Sequence, residues 1–337
     1  MLLSLIVLQG CTPPTSDGTP PLPPTDKATD TLPIPPAPPT GATGTTGSTG
    51  VTGDTAPPLD CSVRPALPLS YTTLTGFGTA EDFDIDVNGN QGSIRGGDLV
   101  LEDGYGNATP TAIDVAGAPA GTRVLATGDW IVADSATGSL KLVDIKTGGN
   151  VRIGSGFTYP NGLEVDALNR AYVADQSQGV VRMVDVYSDP LLQYPVASGL
   201  NQPNGVVLSP DEQTLYVGSF GGGVVYAIDR ITDTTWDTPR VIYDVGGYGG
   251  YDGINVDLCG TVYITEYIVG DIIRIDPTGK LAAERAANLP SYWIPNMRWG
   301  NDVGVFQSDV LYVSDRVQGR LFGLQIGIPG KPHVGLP

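Results

Sequence analysis

From about residue 60 onward, apolar and polar residues alternate in short runs with a period of two, the pattern of half-buried β-strands. Gly179-Val180-Val181-Arg182-Met183-Val184-Asp185, Gly223-Val224-Val225-Tyr226-Ala227-Ile228-Asp229 and Asp271-Ile272-Ile273-Arg274-Ile275-Asp276 are three such runs. Each follows another apolar strand with a tyrosine near its start: Ala171-Tyr172-Val173-Ala174-Asp175, Leu215-Tyr216-Val217-Gly218-Ser219 and Val262-Tyr263-Ile264-Thr265-Glu266. Val, Ile and Tyr fill the strands, and Gly, Asn and Asp separate them. Pro277-Thr278-Gly279 is a turn, because Pro presets φ and Gly admits positive φ. One helical turn is expected, near Lys280 to Ala287.

The pattern repeats. Ile131, Tyr172, Tyr216, Tyr263 and Tyr312 anchor equivalent strands at intervals of 41, 44, 47 and 49 residues, and Asp98-Leu99-Val100-Leu101 supplies a sixth anchor. Strand-only units of that length are β-propeller blades. The chain is therefore read as all-β, a six-bladed β-propeller over residues 60–337. A seventh blade stays open, because Asp82 to Asp129 is the least regular stretch.

A polar residue returns to one place in the unit. Tyr159-Pro160-Asn161-Gly162, Gln202-Pro203-Asn204-Gly205 and Tyr251-Asp252-Gly253 put Asn161, Asn204 and Asp252 at 11, 12 and 11 residues before their anchors. Ile294-Pro295-Asn296 puts Asn296 16 residues before Tyr312, and Ala80-Glu81-Asp82 offers a carboxylate in the first unit. With the anchored strands innermost, these side chains meet at one mouth of the channel. Converging carboxylates and amides without His or Cys form a hard, oxygen-rich site for Ca²⁺, Mg²⁺ or Mn²⁺. Taken singly, Asn-Gly and Asp-Gly are also ordinary turn dipeptides. Asp84-Ile85-Asp86-Val87-Asn88-Gly89 begins like a Ca²⁺ loop, but Arg95 stands where that loop requires Glu, so it is read as a propeller turn.

Composition narrows the function. The net charge of −18 argues against nucleic acid as a partner. The single histidine, His333, and the absence of a Gly-x-Ser-x-Gly elbow exclude a Ser-His-Asp triad, and no Cys/His cluster suggests a zinc finger-like site. Met1 to Leu8 is mostly apolar, and Leu8-Gln9-Gly10-Cys11 fits a bacterial lipobox, so residues 1–10 are expected to be a lipoprotein signal peptide and Cys11 the lipidated residue. A basic leader is missing, so the start codon is expected upstream of Met1. Residues 11–59 are rich in Pro, Thr, Gly and Ser and are expected to be a disordered tether. This implies an envelope protein at the outer membrane or cell surface, a monomer that meets the membrane through its lipid alone. Cys61 and Cys259 form an even pair, either a disulfide or two separate buried thiols.

At these residues the chain resembles the gluconolactonase/regucalcin (senescence marker protein) family of six-bladed propellers, over roughly residues 78–332. Pro160-Asn161-Gly162 with Val165-Asp166, Pro203-Asn204-Gly205, Asp252-Gly253-Ile254-Asn255-Val256-Asp257 and the closing Leu311-Tyr312-Val313-Ser314 carry the resemblance. It implies a divalent metal, Ca²⁺ or another such as Mg²⁺, Mn²⁺ or Zn²⁺, held by Glu81, Asn204 and Asp252. It also implies Asn161 on the substrate and Asp252 as general base in the hydrolysis of a lactone or ester. Ala80-Glu81-Asp82 departs from the family's first-blade motif, the residues that grip sugar lactones have no matching motif, and paraoxonase-type histidines are absent. A non-catalytic binding propeller with a structural Ca²⁺ is the competing expectation.

Overall fold

The computed structural model describes residues 59–78, 80–104, 111–115, 117–189 and 191–333. The expected signal peptide, Cys11 and the tether up to residue 58 lie outside the described residues. Among the described residues there is no α-helix, so none long and apolar enough to cross a membrane.

Strands of period two, joined by tight turns, pair in sequence into six antiparallel four-stranded sheets. The first strand, β1 (Tyr71–Thr75), is set aside for the closure. Blade I is β2 (Phe83–Ile85), β3 (Gln91–Arg95), β4 (Asp98–Glu102) and β5 (Thr111–Asp114). Blade II is β6 (Pro119–Val124), β7 (Trp130–Asp134), β8 (Ser139–Asp144) and β9 (Gly149–Ser155). Blade III is β10 (Pro160–Val165), β11 (Arg170–Asp175), β12 (Val180–Asp185) and β13 (Leu192–Ser198). Blade IV is β14 (Pro203–Leu208), β15 (Thr214–Ser219), β16 (Val224–Asp229) and β17 (Arg240–Asp244). Blade V is β18 (Tyr251–Val256), β19 (Val262–Glu266), β20 (Asp271–Ile275) and β21 (Glu284–Asn288). Blade VI is β22 (Met297–Trp299), β23 (Val310–Asp315) and β24 (Arg320–Gln325), completed on its outer edge by β1.

The inner strands β2, β6, β10, β14, β18 and β22 each touch the next, and β22 touches β2, which closes a six-bladed propeller around a central channel. Apolar side chains fill the gaps between blades. Tyr172, Met183, Val206, Leu215 and Val217, for example, make one buried cluster between blades III and IV.

Three expectations are corrected. The anchors Ile131, Tyr172, Tyr216, Tyr263 and Tyr312 lie on the second strand of each blade, not the innermost. Spacing reports the period of a repeat but not its phase. The sixth anchor strand is β3, since Asp98–Glu102 is the third strand of its blade. Lys280 to Ala287 forms no helical turn; the chain runs instead into β21, which completes blade V.

The motifs have structural reasons. The Asp closing the second strand accepts from the loop that enters the inner strand: Asp175 from the amides of Thr158 (2.6 Å) and Tyr159 (3.0 Å), Asp134 from that of Ala118 (2.9 Å). The Asp closing an inner strand organises the hairpin at the other end. Asp166 accepts the backbone N–H of Leu168 and Arg170, Asp257 those of Cys259 and Thr261, and Tyr172 and Tyr263 donate their hydroxyls to these same carboxylates.

The glycine of each Asn-Gly or Asp-Gly pair is not in a turn. In blades II to V the inner strand slips register just there, between Pro119 and Thr122, Pro160 and Leu163, Pro203 and Val206, and Tyr251 and Ile254. The bulge presses each glycine onto the neighbouring inner strand. A Cβ added at Gly121, Gly162 or Gly205 would overlap the carbonyl oxygen of Asn161, Asn204 or Asp252. Gly205→Ala should therefore force adjacent blades apart and lower stability by about 2–3 kcal/mol, as overpacking does. A chemical-denaturation midpoint unchanged from wild type would refute this.

Two features fasten the ends. Cys61 and Cys259 form a disulfide that ties the start of the described chain to the β18–β19 hairpin. From there Arg274 donates to the Pro65 carbonyl (2.9 Å) and the Leu69 amide to that of Ala286 (2.8 Å), leading the chain past blade V to β1. At the other terminus, Lys331 to His333 line the lower end of the channel with Asp84, Arg123, Glu164 and Arg298. Lys331 pairs with Glu212 (3.1 Å) and Glu164 (3.7 Å), and Arg298 with Glu164 (3.6 Å) and Asp84 (3.7 Å). His333 lies 3.4 Å from Asp84 and hydrogen-bonds the Trp299 carbonyl at 2.7 Å. Burial alone would lower the His333 pKa, but its bond to Asp84 overrides this and raises it.

Candidate functional site

The upper end of the channel is where the bulges place their side chains. Glu81, Asn161, Asn204, Asp252 and Asn296 all line one cavity there, together with Asp82, Ala120 and Arg123. Ala120 holds in blade II the position that Asn161, Asn204 and Asp252 hold in blades III to V. The space they leave is about 10 Å³, room for one water or one ion.

These residues do not play equal parts. Asp82 is fully engaged: Oδ1 accepts the Phe83 N–H (2.8 Å) and the Asn296 amide, and Oδ2 accepts the Thr122 N–H (2.8 Å) and Arg123 (2.6 Å). It pins blades VI, I and II together. Asn296 is engaged as well, since its oxygen also accepts the Met297 N–H (2.8 Å). It precedes an inner strand that has no bulge, and the long connection over residues 300–309 between β22 and β23 is why its offset from Tyr312 is longer.

Glu81 pairs with Arg316, which in turn reaches the Tyr267 hydroxyl (3.3 Å). Asp252 is buried, at 6 % exposure, and among the described residues it makes no salt bridge. Asn204 donates a hydrogen bond to it. The bulge that presents Asp252 is held by the Gly253 N–H on the Thr265 hydroxyl (2.8 Å). Burial, and then the charges of Glu81 and Asp82, push the Asp252 carboxyl well above the usual carboxylate range. Burial also raises Glu81 against the pull of Arg316, and it pushes Asp82 up to about 6 against that of Arg123.

The cavity thus holds a buried carboxylate with no cationic side chain of its own, facing a second carboxylate. Among the described residues no three His, Cys, Asp or Glu are grouped to hold a metal, so amides must complete any coordination sphere. Glu81, Asp252, Asn161 and Asn204 bring oxygens alone, which favours a hard cation such as Ca²⁺, Mg²⁺ or Mn²⁺ over Zn²⁺. The volume, the missing counter-charge and the donor set all fit one divalent ion.

Residues 193–303 match the family model described as the SMP-30/Gluconolactonase/LRE-like region. The propeller is gluconolactonase-like. Among solved structures it is similar to a gluconolactonase from Xanthomonas campestris, at 18% identity and a TM-score of 0.59 over 76% of this chain and 90% of that one. It is also similar to the calcium-binding protein regucalcin from Agrobacterium tumefaciens, at 15% identity and a TM-score of 0.62 over 78% of this chain and 97% of that one. Virginiamycin B lyase from Staphylococcus aureus shares the architecture too, at 11% identity and a TM-score of 0.56 over 77% of this chain and 99% of that one. Among curated protein sequences none matches. At such identities the gluconolactonase-like likeness describes the fold. The chemistry has to be argued from the cavity.

Sequence reasoning missed Ala120, whose side chain carries no chemistry to notice. It also missed Arg316 and Tyr267, which follow the second strands of their blades rather than the recurring Asn or Asp. Their signal is positional: each comes directly after the residue that ends a Tyr-Val-x-Asp-like strand.

Proposed function

We propose that this gluconolactonase-like propeller hydrolyses lactones or related carboxylic esters, with a divalent cation held by Glu81, Asn204 and Asp252. The observation that carries this reading is Asp252: a buried carboxylate, unpaired with Arg or Lys, beside an ion-sized space. When bound, the cation supplies Lewis-acid polarisation of the carbonyl and makes a nearby water more acidic.

The remaining work falls to the chain. Asp252 takes a proton as the oxygen of that water bonds to the carbonyl carbon, then returns it to the departing alkoxide as the C–O bond breaks. Lactone and water become one hydroxy acid. Asn161 donates its amide N–H to the carbonyl oxygen, where negative charge develops. Arg316 balances Glu81 from the rim, and the Asp82–Arg123 pair keeps the floor rigid. The address proposed with this activity is the bacterial envelope, through a lipid on Cys11.

The test is a panel of lactones and esters with the full-length chain, after chelation and after return of Ca²⁺, Mg²⁺ or Mn²⁺. Cation-dependent turnover is expected. Cation binding without turnover of any member would favour a binding propeller instead. One observation supports that second reading: Arg316 already neutralises Glu81, so the fold does not need a catalytic cation for charge balance there.

Stability should report the same site. A carboxyl whose pKa is raised by folding stabilises the fold below its unfolded pKa, and that contribution is lost as pH rises through the folded pKa. Asp252, Glu81 and Asp82 are all raised, Asp82 to about 6. In chelator, the melting temperature should fall from pH 5 to pH 8. Added Ca²⁺ should restore it, and by more at pH 8 than at pH 5, because protons and cation compete for the same oxygens. An equal Ca²⁺ shift at both pH values would remove Glu81 and Asp252 as ligands.

A further inference from the structure

Over blades IV to VI, one side of the mouth of this cavity carries exposed aromatic residues, while Thr158, Asn201 and Gln202 are exposed on the loops entering blades III and IV. Tyr248 is 60 % exposed, Trp293 49 % and Tyr292 72 %. They are not scattered singly, as exposed apolar residues usually are. Tyr248 meets Phe220 edge to face at 5.6 Å, Phe220 meets Tyr267 at 6.0 Å, and Tyr267 stacks on Trp293 at 6.3 Å with the rings 7° from parallel. Four rings from blades IV and V and the loop into blade VI thus form one continuous arc.

The arc joins the site through Arg316. Tyr267 hydrogen-bonds Arg316, the partner of Glu81, and the Arg316 N–H donates to the Trp293 carbonyl at 3.0 Å. Ile268 and Val269 follow Tyr267 in the chain, Val245 precedes Tyr248 by three residues and Val317 follows Arg316, and each is 46–49 % exposed.

We infer that this arc is a subsite for an aromatic or apolar substituent, so that the preferred substrate is an aryl-bearing lactone or ester rather than a polyhydroxylated one. The inference rests on the hydrolase reading for the reaction, but on the rim alone for recognition. A sugar lactone presents hydroxyls that need amide or charged partners; Arg316 touches the arc and Gln202 lies beside Phe220, but the ring faces themselves offer neither. An aryl group needs flat apolar faces, and Trp293 and Tyr248 offer them half in solvent. Such ring contacts contribute about 0.5–1.5 kcal/mol each beyond area burial, or roughly 2–10-fold in affinity.

The test compares an aryl lactone, dihydrocoumarin, with glucono-δ-lactone on the full-length chain in Ca²⁺. Dihydrocoumarin is expected to have the higher kcat/KM. Trp293→Ala should raise its KM about fivefold, within the range for one ring contact, with kcat little changed and glucono-δ-lactone unaffected. A preference for glucono-δ-lactone, or an equal loss on both substrates, overturns the subsite. Binding is read separately in Asp252→Asn by quenching of tryptophan fluorescence. Of the four tryptophans, Trp130 and Trp299 are fully buried and Trp293 stands on the rim. Saturable quenching that disappears in Asp252→Asn/Trp293→Phe supports the subsite even if wild type hydrolyses neither lactone, in which case only the hydrolase reading falls. Turnover of dihydrocoumarin without such quenching, and with Trp293→Ala unchanged, does the reverse.

Discussion

Asp252→Asn should cut kcat for lactone hydrolysis by about 10²–10⁴-fold, the range for removing a general base, and leave the propeller folded. The substitution is nearly isosteric, and the bulge that presents the residue is built from backbone and from the Thr265 hydroxyl rather than from the carboxylate. It also deletes a buried charge whose ionisation the fold opposes. In chelator the variant should therefore melt at or above the wild-type temperature near pH 8. In Ca²⁺ the order should reverse, because wild type gains from binding and the variant has lost a charged ligand. Asn161→Ala should separate the roles, lowering kcat more than it weakens the thermal shift by Ca²⁺. Asp252→Asn with near-normal kcat would end the proposed mechanism, whatever the cation does.

Cys61→Ser should lower stability by about 2–5 kcal/mol, since its disulfide closes a long loop in the unfolded chain. Residues Cys61 and Cys259 stand 198 apart in sequence. The bridge also anchors the segment leading to β1, the strand that completes blade VI by pairing with β24 along Tyr71–Thr75. Losing it should lower the melting temperature by roughly 4–20 °C at the usual 2–4 °C per kcal/mol for domains of this size class. Reductant should reproduce the effect in wild type and add nothing to Cys61→Ser. A melting temperature shared by oxidised and reduced protein would refute it.

How much of this could be read from the residues depended on whether a feature repeats. The Asn-Gly or Asp-Gly pair returns because the inner strands of blades III to V bulge and let a neighbouring carbonyl come close, so the ring position showed itself in Asn161, Asn204 and Asp252. The tyrosines return because the second strands of blades III to VI each bury one, and Tyr172 and Tyr263 bond the Asp that ends the inner strand. That spacing revealed six units, but it could not say which strand faces the channel, and the anchors were placed one strand too far in. The closing strand β1 lies outside the repeat, is rich in Thr and half-exposed, and finds its partner only through ring closure. Asp98-Leu99-Val100-Leu101 passed for an anchor because an apolar third strand looks like a second one. The aromatic arc stayed hidden because its members come from unrelated turns and become neighbours only when blades IV to VI stand side by side.

The tail at the lower end of the channel has a kinetic meaning. With Lys331, Pro332 and His333 seated among Asp84, Glu164 and Arg298, the passage is a cup rather than a tube. Whatever reaches Asp252 must come in through the upper mouth, and whatever leaves must go back the same way. Arrival and departure share one doorway, so a retained hydroxy acid bars the next molecule. For the proposed hydrolysis, product should therefore inhibit by simple competition.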